Sequence, residues 1–88
     1  MKQVIVSIRD RAAQCFSRPV FTQTEGTAIR SFTDEVNRAV PDNELAKHPE
    51  DFDLYVIGVF DDEDGSVVCE SVPRLVLKGI QAKLPEGF

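Results

Sequence analysis

With 88 residues, 42% of them hydrophobic and 28% charged, the chain has material for one domain and one modest core, because a chain of this size buries only about 60% of the surface it exposes when unfolded. Two domains are excluded, and so is wholesale disorder, since no long polar low-complexity tract separates the apolar segments. The net charge of −5 excludes an obligate, non-specific duplex binder, whose affinity would come from counterion release at a cationic surface.

That total hides an uneven distribution. Residues 1–40 hold six bases against four acids, residues 41–70 one base against ten acids, and residues 71–88 three bases against one acid. A dipolar molecule with a locally basic face is therefore allowed.

Residues 3–9, QVIVSIR, put Val4, Val6 and Ile8 on one period-two face and Ile5 on the other, which predicts a strand with at least one buried side. The apolar stretch Val4 to Ile8 is far too short to span a membrane, and the pattern of a signal peptide is missing, so the protein is expected to stay where it is translated. Residues 10–19 have no sustained apolar period and end at Pro19, which biases Arg18 towards an extended conformation. They read as a connection, after which Val20 and Phe21 resume a strand.

The clearest helix runs from Thr24 to Val40. Ala28, Ile29, Phe32, Val36, Ala39 and Val40 recur at the spacing of one buried stripe, with Arg30, Asp34 and Arg38 four apart outside it. Thr24 is the expected N-cap, Gly26 weakens the first turn, and Pro41 stops the helix. A single helical turn is expected from Asp42 or Asn43, ending before Pro49.

Residues 53–60, DLYVIGVF, are apolar on both faces: Leu54, Val56 and Phe60 on one, Tyr55, Ile57 and Val59 on the other. Such a strand belongs in the middle of a sheet, with Gly58 marking a bulge or a close backbone approach. Asp61 to Gly65 then turn the chain, Gly65 supplying a positive φ, and Ser66 to Val72 return as the second strand of a hairpin. Past Pro73, Leu75, Val76 and Leu77 form a further strand.

Several segments invite a chemical reading. Asp62 and Asp64 before Gly65 resemble part of a calcium loop, but Phe60 stands where the first ligand should be and Ser71 where the bidentate acid belongs, so a solvated turn is the plainer reading. His48, the one histidine, lacks a nucleophile or a metal-ligand set, and "HPEDF" reads as a turn in which Pro49 fixes the chain and Glu50 or Asp51 caps backbone N–H groups. No metal or other cofactor is expected. Cys15 and Cys69 lack the spacing of a zinc or redox motif, so reduced, packed thiols are expected, with one disulfide as the alternative.

Arg9, Arg11 and Arg18 are interleaved with Phe16 and Phe21. One reading is a platform for single-stranded nucleic acid, on which arginines meet phosphates and aromatics stack on bases. The other is that the phenylalanines are core and the arginines keep the surface soluble. No phosphate loop, nucleophile elbow or paired-carboxylate motif is present, so enzymatic activity is not expected.

Taken together, "SIRDRAAQCFSRPVF", "AIRSFTDEVN" and "HPEDFDLYVIGVFDDEDG" resemble, in order and spacing, the small nonstructural protein of gokushovirus-type microviruses, which are single-stranded DNA phages. The likeness spans about Val4 to Val72, and its most specific piece is His48 to Phe52 followed by Phe60 to Gly65. The resemblance implies a DNA-binding protein of the host cytoplasm, absent from the mature particle, by analogy with the microvirus protein that turns replication towards single strands and packaging. It carries over no site residue.

The expectation is a single domain over residues 1–88, with its core at about 3–78 and a C-terminal tail at about 79–88. Its fold is α+β, a small mostly antiparallel sheet of four or five strands with one main helix on one face, in the order β-β-α-β-β with an optional last strand. Homo-oligomerisation would cover the remaining edges and face. The expected function is non-enzymatic binding of single-stranded DNA during genome replication or packaging, with Arg9, Arg11 and Arg18 on phosphates and Phe16 stacking. The alternative is an interaction module whose acidic surface, Asp42 to Glu70, engages a phage or host replication protein. No membrane partner is expected.

Overall fold

In the computed structural model, which describes residues 1–85, the alternation of Val4, Val6 and Ile8 against Ile5 makes Lys2–Asp10 a strand, β1. Two short strands run antiparallel along one side of it: β2, Cys15–Phe16, with Phe16 opposite Arg9, and β3, Val20–Thr22, with Phe21 opposite Ile5. The return after the first connection is therefore split in two, and Ser17 stitches the break. Its backbone N–H donates to the Ile8 carbonyl at 2.8 Å, and its hydroxyl accepts the Ile8 N–H at 3.0 Å.

Strand β4, Phe52–Asp61, lies on the other side of β1, and β5, Ser66–Lys78, pairs with β4 at the edge. All pairings are antiparallel. The hairpin between β4 and β5 closes as its composition demands: Gly65 has φ +73°, the Asp61 carboxylate accepts the Glu63 N–H, and the Asp64 carboxylate accepts the Ser66 N–H.

The two strands expected on either side of Pro73 are one continuous strand. A proline is tolerated there because β5 is an edge strand and nothing needs its missing N–H. The register makes room as well: Cys69 stands opposite Gly58 and Arg74 opposite Val56, so Glu70 to Pro73 have no partners on β4.

Helix α1, Glu25–Val36, starts as expected: the Thr24 side chain accepts the Thr27 N–H at 3.0 Å. It ends four residues before Val40 because Asn37 turns its side chain inward. The Asn37 amide donates to the carbonyls of Thr33 and Ala82 and accepts the Leu84 N–H. Ala28, Phe32 and Val36 are buried as the stripe predicts, whereas Ala39 is exposed. The outer charges also differ, since Arg38 pairs with Glu35 at 2.6 Å.

Asn43 caps the short α2, Glu44–Lys47, by accepting the Leu45 N–H. Its amide donates to the carbonyls of Glu35 and Arg38, which also accept the backbone N–H groups of Arg38 and Val40 just past the end of α1. A 3-10 turn, Pro49–Asp51, feeds β4. Beyond β5, Gly79–Ala82 forms α3, with Ala82 in the core. The expected tail thus begins as packed helix, and residues 86–88 of it lie outside the described residues.

The core forms on one side of the sheet. Val6, Leu54 and Val56 meet Ala28, Phe32 and Val36 of α1 and Ala82 of α3. Fully buried side chains of this size contribute roughly 1.5–3 kcal/mol each.

One irregularity decides the other side. Ile5 pairs with Gly58 and Val6 with Val56, so Ile57 is an extra residue in β4, a bulge. Gly58 is needed beside it, because a Cβ there would sit 2.8 Å from the Val68 carbonyl oxygen. Past the bulge the alternation of β4 is reversed. Phe60, expected with Leu54 and Val56, lies opposite Gln3 on the face of Tyr55.

Candidate nucleic-acid interface

The sheet face away from α1 is open. Its residues follow from register: Ile5, Ser7 and Arg9 on β1, with Tyr55 opposite Ser7 and Asp53 opposite Arg9 on β4. On β5, Val67, Leu75 and Lys78 stand opposite Phe60, Tyr55 and Asp53. Four aromatic rings stand there as two edge-to-face pairs. Phe16 meets Tyr55 with centroids 5.3 Å apart, and Phe21 meets Phe60 at 5.6 Å. Phe16, Phe21, Val67 and Leu75 are 38%, 50%, 51% and 44% exposed, so the strip is a surface and not a second core.

The charges on this face are cationic where they reach solvent. The Arg9 guanidinium lies 5.5 Å from the centre of the Phe16 ring, a cation–π distance. Neither Arg9 nor Lys78 has an acidic partner within 4.0 Å among the described residues. The one acid on the face, Asp53, is buried beneath it.

Asp53 has a dedicated counter-ion. Arg11 places Nε 3.4 Å from Asp53 Oδ2, while Asp53 Oδ1 has no hydrogen-bond partner. Arg11 also donates from its guanidinium to the Glu50 carbonyl and from its backbone N–H to the Asp51 carbonyl at 2.8 Å. The side chain fastens the turn after β1 to the 3-10 turn before β4.

Of the residues singled out by charge and aromatic pattern, Arg9 and Phe16 are therefore in contact on the open face. Arg18 is exposed on the link between β2 and β3 and has no ion pair among the described residues. Arg11 is committed elsewhere. Tyr55, Phe60 and Lys78 complete the face and were missed. The only local signal for them was Gly58, whose bulge sets which face Phe60 takes.

The other segments do local work. In "HPEDF" neither Glu50 nor Asp51 caps a backbone N–H of the described residues through its carboxylate; the backbone carbonyls of both accept from Arg11 instead. His48, Glu50 and Asp51 bring ligand-type atoms within 4.8 Å of one another, but they are neighbours in sequence on a surface turn, where such grouping arises without an ion. The His48 ring lies between Glu44 and Glu50, at 3.9 and 3.7 Å. Asp62 accepts from the Met1 amino group at 2.6 Å.

Cys15 and Cys69 are free and exposed, contrary to the packed thiols expected, because both fall on edge strands. On the helix side a cleft of about 320 Å³ separates α1 from β1 and β3. Glu35 is the one titratable residue in its lining, and Arg38 holds that carboxylate. No helix among the described residues is long and apolar enough to cross a membrane.

These features define a small α+β protein with a helix-covered sheet face and an exposed aromatic one. The chain belongs to a bacteriophage family: the family model described as Phage ORF5 protein matches residues 3–82. No curated protein and no solved structure matches it.

Proposed function

We propose that this phage protein binds single-stranded DNA, without enzymatic activity, during replication or packaging of a gokushovirus-type genome. It would act in the host cytoplasm and be absent from the mature particle. The observation that carries the reading is the open sheet face, where the Phe16–Tyr55 pair is bordered by Arg9 and Lys78 and no exposed acid shares their strands' side. Unpaired bases offer π-faces to such rings while cations follow the backbone. A duplex hides its bases, and a chain with ten bases and fifteen acids lacks the cationic surface to hold one by phosphates alone.

Arg9, Arg18 and Lys78 are the phosphate contacts in this reading, and Phe16 with Tyr55 is the stacking station. The Phe21–Phe60 pair lies nearer the acidic hairpin, where phosphate is repelled. The test is titration of a labelled oligonucleotide at several salt concentrations. Three phosphate contacts predict a slope of about −2 in log K against log salt, hence about a 20-fold loss between 50 and 200 mM. Absence of binding at every salt concentration, or equal affinity for a duplex of the same length, refutes the proposal.

A further inference from the structure

The aromatic face poses a problem for the protein when no DNA is bound. β1 and β4 pair from Lys2 and Asp61 to Asp10 and Phe52, about 30 Å of strand, and four strands set about 4.8 Å apart make the face roughly 19 Å wide. That is on the order of 550 Å² of mainly apolar surface, at the upper end of the largest patch found on monomers.

Resting on the nucleic-acid reading above, we propose that in the free protein a second copy of the chain covers this face, so that the partner copy and single-stranded DNA compete for it. Two faces of this size bury about 1,100 Å², which reaches the lower bound for a specific interface. The face is also self-complementary in charge. Arg9 and Lys78 stand at one end of the strands, and Asp62, Glu63 and Asp64 at the other.

Charge fixes the orientation. Two sheets packed face to face have closed two-fold symmetry about an axis lying between them. An axis along the strands would set Arg9 against the partner's Arg9. An axis across the strands sets Arg9 and Lys78 against the partner's hairpin acids, and the Phe16–Tyr55 pair over the partner's Phe21–Phe60 pair. Two other routes to association are closed or poor: α1 covers the opposite face, and the β5 edge is interrupted where Glu70 to Pro73 leave the ladder.

The experiment is sedimentation equilibrium of the full chain, with and without a short oligonucleotide, for the natural sequence and for Phe21→Asn and Val67→Asn. Both positions are about half exposed and lie outside the stacking station, and circular dichroism checks their folding. The natural chain is expected at twice its own mass, both variants at the single mass, and oligonucleotide is expected to return the natural chain to one protein copy per complex. The variants bind oligonucleotide more tightly, by about tenfold where a tenth of the natural chains are free of the partner.

A single-mass species at every concentration overturns the inference, as does a dimer that both variants leave intact, or one that stays paired with oligonucleotide bound. The DNA reading is judged separately. A dimer that ignores oligonucleotide refutes that reading and the competition together, whereas a monomer that binds it refutes only the inference.

Discussion

Asp53 and Arg11 form an ion pair in which the carboxylate is buried and the guanidinium is half exposed, at 3.4 Å. The relationship separates Arg11 from Arg9, two residues away and on the same stretch of chain. Removing the Arg11 side chain leaves a buried carboxylate with no counter-charge and frees the Glu50 carbonyl of the 3-10 turn. Arg11→Ala is expected to lower unfolding stability by about 1–3 kcal/mol, and Arg9→Ala by less than about 0.5 kcal/mol. Urea titrations of both, with Asp53→Asn and the double variant, measure the coupling.

For DNA binding the order reverses. Tyr55→Ala removes half of the stacking station and is expected to weaken oligonucleotide binding by about 5- to 150-fold, the equivalent of 1–3 kcal/mol per stacked base. Arg9→Ala reduces the salt slope by about 0.7, since one phosphate contact on a single strand is lost. Arg11→Ala leaves the slope unchanged in protein that remains folded. Fluorescence anisotropy at four salt concentrations distinguishes the three.

Asn43 is buried and holds two helix ends at once, donating to Glu35 and Arg38 and accepting from Leu45. Asn43→Ala leaves the Leu45 N–H without a partner and takes one donor from each of the Glu35 and Arg38 carbonyls. A loss of about 2 kcal/mol is expected, measurable as a lower urea midpoint at unchanged m-value. Asn43→Asp retains the cap on Leu45 and loses both donors, so it recovers only part of the loss.

Acid should weaken the fold through two exposed pairs. The Arg74 guanidinium beside Glu25, and that of Arg38 beside Glu35, hold both carboxyls below their ordinary value of 4.5. A lowered carboxyl stabilises the native state above the unfolded value, and the contribution is lost as pH falls from about 4.5 through the lowered one. Glu25→Gln, which unties the start of α1 from β5, is expected to flatten the stability profile between pH 5 and about pH 3. The difference should shrink at high salt, because both pairs face solvent. Urea midpoints over that range check it.

What the sequence made legible was local. The Thr24 cap, the Gly65 turn and the Asn43 cap each depend on a few neighbouring residues, and each appears where those residues place it. The end of α1 was not legible, because Asn37 is held by Ala82 and Leu84 from the far end of the chain. The same holds for the open face. Strict alternation groups Phe60 with Leu54 and Val56, and one added residue at Ile57 moves it beside Phe21. Arg11 looked equivalent to Arg9 because nothing nearby in sequence announces that Asp53 will be buried against it.

The break in β5 has a consequence for the protein in quantity. A 13-residue outer strand carrying Val67, Val68 and Val72 in the open is a template onto which identical chains could add without limit, as in amyloid. Pro73 denies an incoming backbone one donor, and the four unpaired residues around it spoil the flatness such growth requires. Aggregation by strand addition is thereby disfavoured at this outermost strand.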